Sequence, residues 1–117
     1  MAKYETTLTG NFSEFLQVLD EGVQRGSLSA SYEDGSDHTV GGVRCAFRVY
    51  ERYSMLGGNR LSLAVMLMGN ADELFLSMIA AGGSQAMFFK INTWGERSFL
   101  QTAVDIVEAY KLRGGKN

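Results

Sequence analysis

Residues 82–100 read GGSQAMFFKINTWGERSFL, and their reading decides how the sheet hands over to the last helix. Gly82-Gly83-Ser84-Gln85 has the composition of a hairpin turn, because glycine accepts the φ > 0 that tight turns require. Met87, Phe89 and Ile91 then alternate with Phe88 and Lys90, which predicts a strand. Thr93 with Glu96 forms a capping box, and Ser98 with Gln101 offers an alternative helix start one turn later. Phe99, Leu100, Ala103, Ile106, Val107 and Tyr110 follow at helical spacing. Gly82-Gly83-Ser84 lies between two predicted strands and lacks the Lys-Ser/Thr ending of a phosphate loop.

Working back toward the N-terminus, Leu76, Met78 and Ala80 alternate as a strand whose partners across that turn are Ile91, Phe89 and Met87. A loop Gly69-Asn70-Ala71-Asp72 pairs Leu67 with Leu74, Val65 with Leu76 and Leu63 with Met78. A three-residue loop Gly57-Gly58-Asn59 pairs Met55 with Leu61, Tyr53 with Leu63 and Val49 with Leu67. On that register Val43, Cys45, Phe47, Val49, Tyr53 and Met55 face the core, with Cys45 a buried packing thiol. Leu28, Ala30 and Tyr32 form an earlier strand that ends in the turn Asp34-Gly35-Ser36-Asp37. Asn11 with Glu14 resembles a capping box ahead of a helical stripe of Phe12, Phe15, Leu16, Leu19 and Val23, which Gly26 stops. Tyr4, Thr6 and Leu8 alternate as a first short strand. The expected fold is α+β, a curved antiparallel β-sheet in the order β-α-β-β-β-β-β-α with two helices packed on one face.

At 117 residues, 45% hydrophobic and 21% charged, the chain suits one globular domain spanning 1–117, with 114–117 expected to be a disordered tail. A net charge of −2 gives no global attraction to nucleic acid. One cysteine excludes an internal disulfide and any CxxC motif. No apolar run approaches the length of a membrane span, and the N-terminus has no apolar leader, so a cytoplasmic location is expected.

The second sheet face then holds Arg44, Arg48, Tyr50, Arg52, Met66, Phe75, Ile79, Phe88 and Lys90. A face meant only for water would not carry so many large apolar groups, so it is either covered by the chain's own loops or first strand or left for a partner. Self-association as a homodimer is the leading expectation, with Arg48, Tyr50, Met66, Phe75, Ile79, Phe88 and Lys90 as interface candidates. A small apolar ligand held between the last helix and the sheet by Met78, Phe89 and Trp94 is the alternative. The arginines beside aromatic groups also evoke sheet-based single-stranded RNA binders, but the RNP pattern is missing and the domain is acidic. His38 beside Asp37 reads as a hydrated hairpin tip rather than a metal site. No acid, base or nucleophile converges with another, so no catalytic residue, metal or cofactor is expected and the protein reads as no enzyme.

GGSQAMFFKINTWGERSFL, taken with NFSEFLQVLDEGV near the N-terminus, resembles a group of small uncharacterised bacterial proteins of this length. That resemblance implies no catalytic residue. The expected architecture is also similar, as analogy, to helix-grip (START-like) domains, which often hold apolar ligands between helix and sheet. This chain is shorter and has one helix after its first strand, where that pattern has two.

Overall fold

The computed structural model describes residues 1–26, 29–53, 60–82 and 89–114, with side chains of the last segment from Glu96 to Arg113. Seven elements follow in order: β1 (Ala2–Thr9), α1 (Phe12–Gly26), β2 (Ser31–Val40), β3 (Val43–Tyr53), β4 (Arg60–Asn70), β5 (Glu73–Gly82) and α2 (Phe89–Gly114). All five strands pair antiparallel in the order β1-β5-β4-β3-β2, an open sheet with β4 at its centre. The α+β class and the antiparallel sheet agree with the sequence reading.

Local sequence explains the start of α1 and a close approach of the two helices. Asn11 Oδ1 accepts the Glu14 backbone N–H at 2.9 Å, a side-chain cap for one orphan donor of α1. The expected return bond of a capping box does not define Glu14, whose carboxylate accepts from Tyr110 Oη at 2.9 Å and so ties α1 to α2. Phe15 meets Tyr110 edge-on, ring centroids 4.9 Å apart. A Cβ on Gly22 would fall 2.5 Å from Ile106 Cδ1, so the helices touch there because glycine has no side chain.

The core lies between the two helices and one sheet face. Leu61, Leu63, Val65 and Leu67 of β4 and Leu74, Leu76, Met78 and Ala80 of β5 are buried against Phe15, Leu19 and Val23 of α1 and Phe99, Ala103 and Val107 of α2. The apolar faces of β4 and β5 are therefore as the alternation predicts. Their register is tighter by one pair at the turn: Asn70 opposes Glu73, Leu67 opposes Leu76 and Val65 opposes Met78. Ala71 and Asp72 alone make the turn, with Ala71 at φ 55°.

Three expectations are corrected. The sixth strand gives way to helix at Phe89–Ile91, and residues 83–88 lie outside the described residues. The physical reason is that β1 occupies the edge of β5 the sixth strand needed: Tyr4 opposes Met78 and Thr6 opposes Leu76. A short apolar run fits strand or helix equally, and extending an existing helix carries no nucleation cost. Thr93 accordingly lies inside α2 rather than at its start. Of the expected tail, Gly114 closes α2 and 115–117 lie outside the described residues.

Asp34-Gly35-Ser36-Asp37 is strand, not turn. β2 runs on to a two-residue turn at Gly41-Gly42, with Val40 opposite Val43 and Gly41 at φ 59°. The register shifts between Tyr32 and Asp34, a bulge that absorbs Glu33.

The third correction inverts β3. Tyr50 opposes Leu63, Arg48 opposes Val65 and Ala46 opposes Leu67, three residues away from the expected register. The loop Gly57-Gly58-Asn59 and Met55, which set that expectation, lie outside the described residues. Because strand side chains alternate, an odd shift exchanges the faces. Arg44, Ala46, Arg48, Tyr50 and Arg52 face the helices, while Val43, Cys45, Phe47, Val49 and Tyr53 face away.

Candidate functional site: the outer sheet face

Inward arginines are stable here because their stems cover apolar surface while their heads find partners at the border of the helix layer. The Arg44 guanidinium stands 4.3 Å from the Phe12 ring centroid and donates to Ser13 Oγ at 2.7 Å. Arg48 pairs with Asp37 at 2.9 Å and donates to the Phe47 carbonyl at 2.9 Å. Arg52 lies over Phe99, 4.7 Å from its centroid, and burial holds its pKa below the usual arginine range. Tyr50 is fully buried and donates to Asp20 Oδ1 at 2.7 Å. Burial first, and then the bond to Asp20, push its pKa far above the ordinary tyrosine value. A cleft of about 410 Å³ remains between α1 and this flank of the sheet, with Asp20 and Gln24 on one wall and Tyr32, Arg44 and Arg48 on the other.

The opposite face can be followed row by row through the ladders. One row runs His38, Cys45, Met68, Phe75, Thr7. The next runs Ser36, Phe47, Met66, Ser77, Glu5, and the third Asp34, Val49, Ala64, Ile79, Lys3. The three inner strands thus supply an apolar band, and the edge strands β1 and β2 supply polar ends. Phe47, Met68 and Ile79 keep 43%, 38% and 37% of their surface exposed, which is high for large apolar groups in mid-strand. No helix among the described residues covers them, since α1 and α2 lie on the other side. A hollow of about 600 Å³ opens at the turn end of this band, lined in part by Val43, Met68 and Phe75.

Of the interface candidates, Met66, Phe75 and Ile79 do lie on this face. Arg48 and Tyr50 do not: both turn toward the helices as members of the inverted strand. Phe88 lies outside the described residues, and Lys90 belongs to α2 rather than to a strand. The arginines of β3 are therefore not beside the aromatic groups of the outer face. Among the ligand-pocket candidates Met78 is wholly buried in the core, and Phe89 and Trp94 belong to the first turns of α2. Val43, Cys45, Phe47 and Val49 are outer-face residues that the sequence reading assigned to the core. Cys45 is half-buried and His38, an exposed residue of β2, stands opposite it rather than at a hairpin tip.

This is an α+β domain with helices on one face of an open antiparallel sheet and an apolar band on the other. The chain belongs to a family of unknown function (DUF6054), matched over residues 1–111. No curated protein matches it. No helix among the described residues is long and apolar enough to cross a membrane.

Proposed function

We propose that the protein is a non-enzymatic domain that self-associates as a homodimer through the outer face of its sheet. The observation that carries this is the apolar band of Val43, Phe47, Val49, Met66, Phe75 and Ile79 between polar edge strands, the pattern of an interface core inside its rim. Strand spacing of about 4.8 Å and a rise of about 3.3 Å per residue give a five-strand, ten-residue face roughly 800 Å². That matches the roughly 800 Å² each partner contributes to a stable standard interface.

Charge favours a second copy as the occupant. β4 is the central strand, so a two-fold axis along it lays β1 of one copy over β2 of the other. Lys3 and Asp34 end the same row at opposite edges, and this axis brings each over the other in the partner. An axis across the strands would instead set β2, whose outer face carries Asp34, over its own copy. A bacterial, cytoplasmic setting suits this reading, since a half-buried free thiol such as Cys45 persists in a reducing compartment.

Sedimentation velocity at micromolar concentration tests the proposal. The expected mass is twice 12.9 kDa, and Met66→Lys should give a monomer with unchanged circular dichroism. A wild-type protein that stays monomeric across that range would sink the idea.

A further inference from the structure

The chain has one histidine and one cysteine, and the β2–β3 register sets them directly opposite each other. On the other side of Cys45 the β3–β4 register sets Met68. Three neighbouring strands thus each place one donor in a single row on the outer face: imidazole, thiol, thioether. Directly opposed residues of antiparallel strands have Cβ atoms about 4.5–5.5 Å apart. His38 and Met68 are long enough to lean in over the shorter Cys45 between them.

The donor set selects its ion. Thiolate and thioether are soft ligands that favour Cu(I). Calcium and magnesium take oxygen ligands, and zinc takes four or, at open sites, three from His, Cys and carboxylate. Among the described residues no three of His, Cys, Asp and Glu are grouped to hold a metal, so the thioether is indispensable and zinc is disfavoured. Charge points the same way. Val43 and Phe47 flank Cys45 on its own face, and a thiolate with a monovalent cation is neutral, whereas a divalent ion would leave net charge beside apolar groups. The row is open to solvent, with His38 exposed, Cys45 half-buried and Met68 38% exposed.

We propose that His38, Cys45 and Met68 form a binding site for a soft monovalent metal ion, Cu(I). The site does not rest on self-association. Where two copies pair about the axis along β4, Phe75 of the second lies over this row, so metal and partner compete and each weakens the other by the same factor.

The test is an anaerobic titration in which the reduced protein withdraws Cu(I) from a chromogenic chelator. One Cu(I) per chain is expected. Cys45→Ser should abolish withdrawal, and His38→Ala and Met68→Leu should each weaken it by about tenfold or more, with circular dichroism unchanged. No withdrawal by the wild type overturns the proposal. So does a Cys45→Ser variant that binds like the wild type, or binding that survives both other substitutions unaltered, since the thiol would then act alone.

Discussion

Tyr50 Oη donates to Asp20 Oδ1 across 2.7 Å, and this bond joins the middle of β3 to the flank of α1. It exists because β3 turns Tyr50, rather than Val49, toward the helices. Asp20 Oδ2 accepts in turn from Gln24 Nε2 at 3.1 Å, so the carboxylate is held from two sides. A buried phenol without that acceptor would carry an unsatisfied hydroxyl at about 1–3 kcal/mol.

Alkaline stability should therefore depend on this residue. Burial and Asp20 raise the folded-state pKa of Tyr50 above its ordinary value of 10.0. A raised folded pKa means full stability below pH about 10, lost as pH climbs and the unfolded chain ionises first. Urea unfolding from pH 8 to 11 should show a falling free energy, and Tyr50→Phe should make that fall shallower by up to one proton, about 1.4 kcal/mol per pH unit. At pH 7 the same substitution should cost about 1.5 kcal/mol, the lower end for a bond to a charged acceptor, because Asp20 keeps Gln24. A slope that matches the wild type would exclude Tyr50 as the group responsible.

The β4–β5 turn carries a strain that a single substitution should relieve. Ala71 sits at φ 55°, a conformation that disfavours a Cβ by about 1–2 kcal/mol. Glycine removes that cost and gives back about 0.4–1 kcal/mol through the greater freedom of the unfolded chain. Ala71→Gly should thus stabilise by roughly 0.5–1 kcal/mol, read as a higher urea midpoint at unchanged slope. A lower midpoint would contradict the turn geometry.

Orientation within the dimer has its own test. Lys3→Glu should weaken association by placing a carboxylate over Asp34 of the second copy, and adding Asp34→Lys should restore it. Each is an exposed strand residue, so neither change should unfold the chain. Dissociation constants from sedimentation equilibrium at low salt give the measurement. If the double variant associates no better than Lys3→Glu alone, the axis does not run along β4.

Much of this fold was legible because Leu61, Leu63, Val65, Leu67 of β4 and Leu74, Leu76, Met78 of β5 form unbroken apolar sets, while Ser62, Ala64 and Ser77 interrupt the opposite parity. A residue parity read from such strands has one answer. β3 has two, since Val43, Cys45, Phe47 and Val49 look like a core and Ala46 and Tyr50 are one. The deciding information lies in the ladder, and that in turn depends on the length of the connection between Tyr53 and Arg60. The strand expected through Phe89 failed for a different reason. Its alternation was real, but the edge of β5 belonged to β1, a partner distant in sequence that local pattern does not reveal. The candidate face survived in Met66, Phe75 and Ile79, whose strand parity was secure, and lost Arg48 and Tyr50 with the parity of β3.

β2 is exposed along its length on both faces, with only Gly35 half-buried. It is held to the rest of the molecule mainly through β3, by the ladder, the edge-on contact of Tyr32 with Tyr50 and the Arg48–Asp37 pair, with a longer ion pair from Glu33 to Arg60 of β4 at 3.7 Å. Such a strand has little buried apolar area to resist a local opening. Its amides should be among the first of the sheet to exchange with solvent, well before those of β4. Opening it would leave β3 as the new edge and take His38 away from Cys45 while the core stays shut. The arm that completes the outer face is thus also the part the fold can release without unfolding.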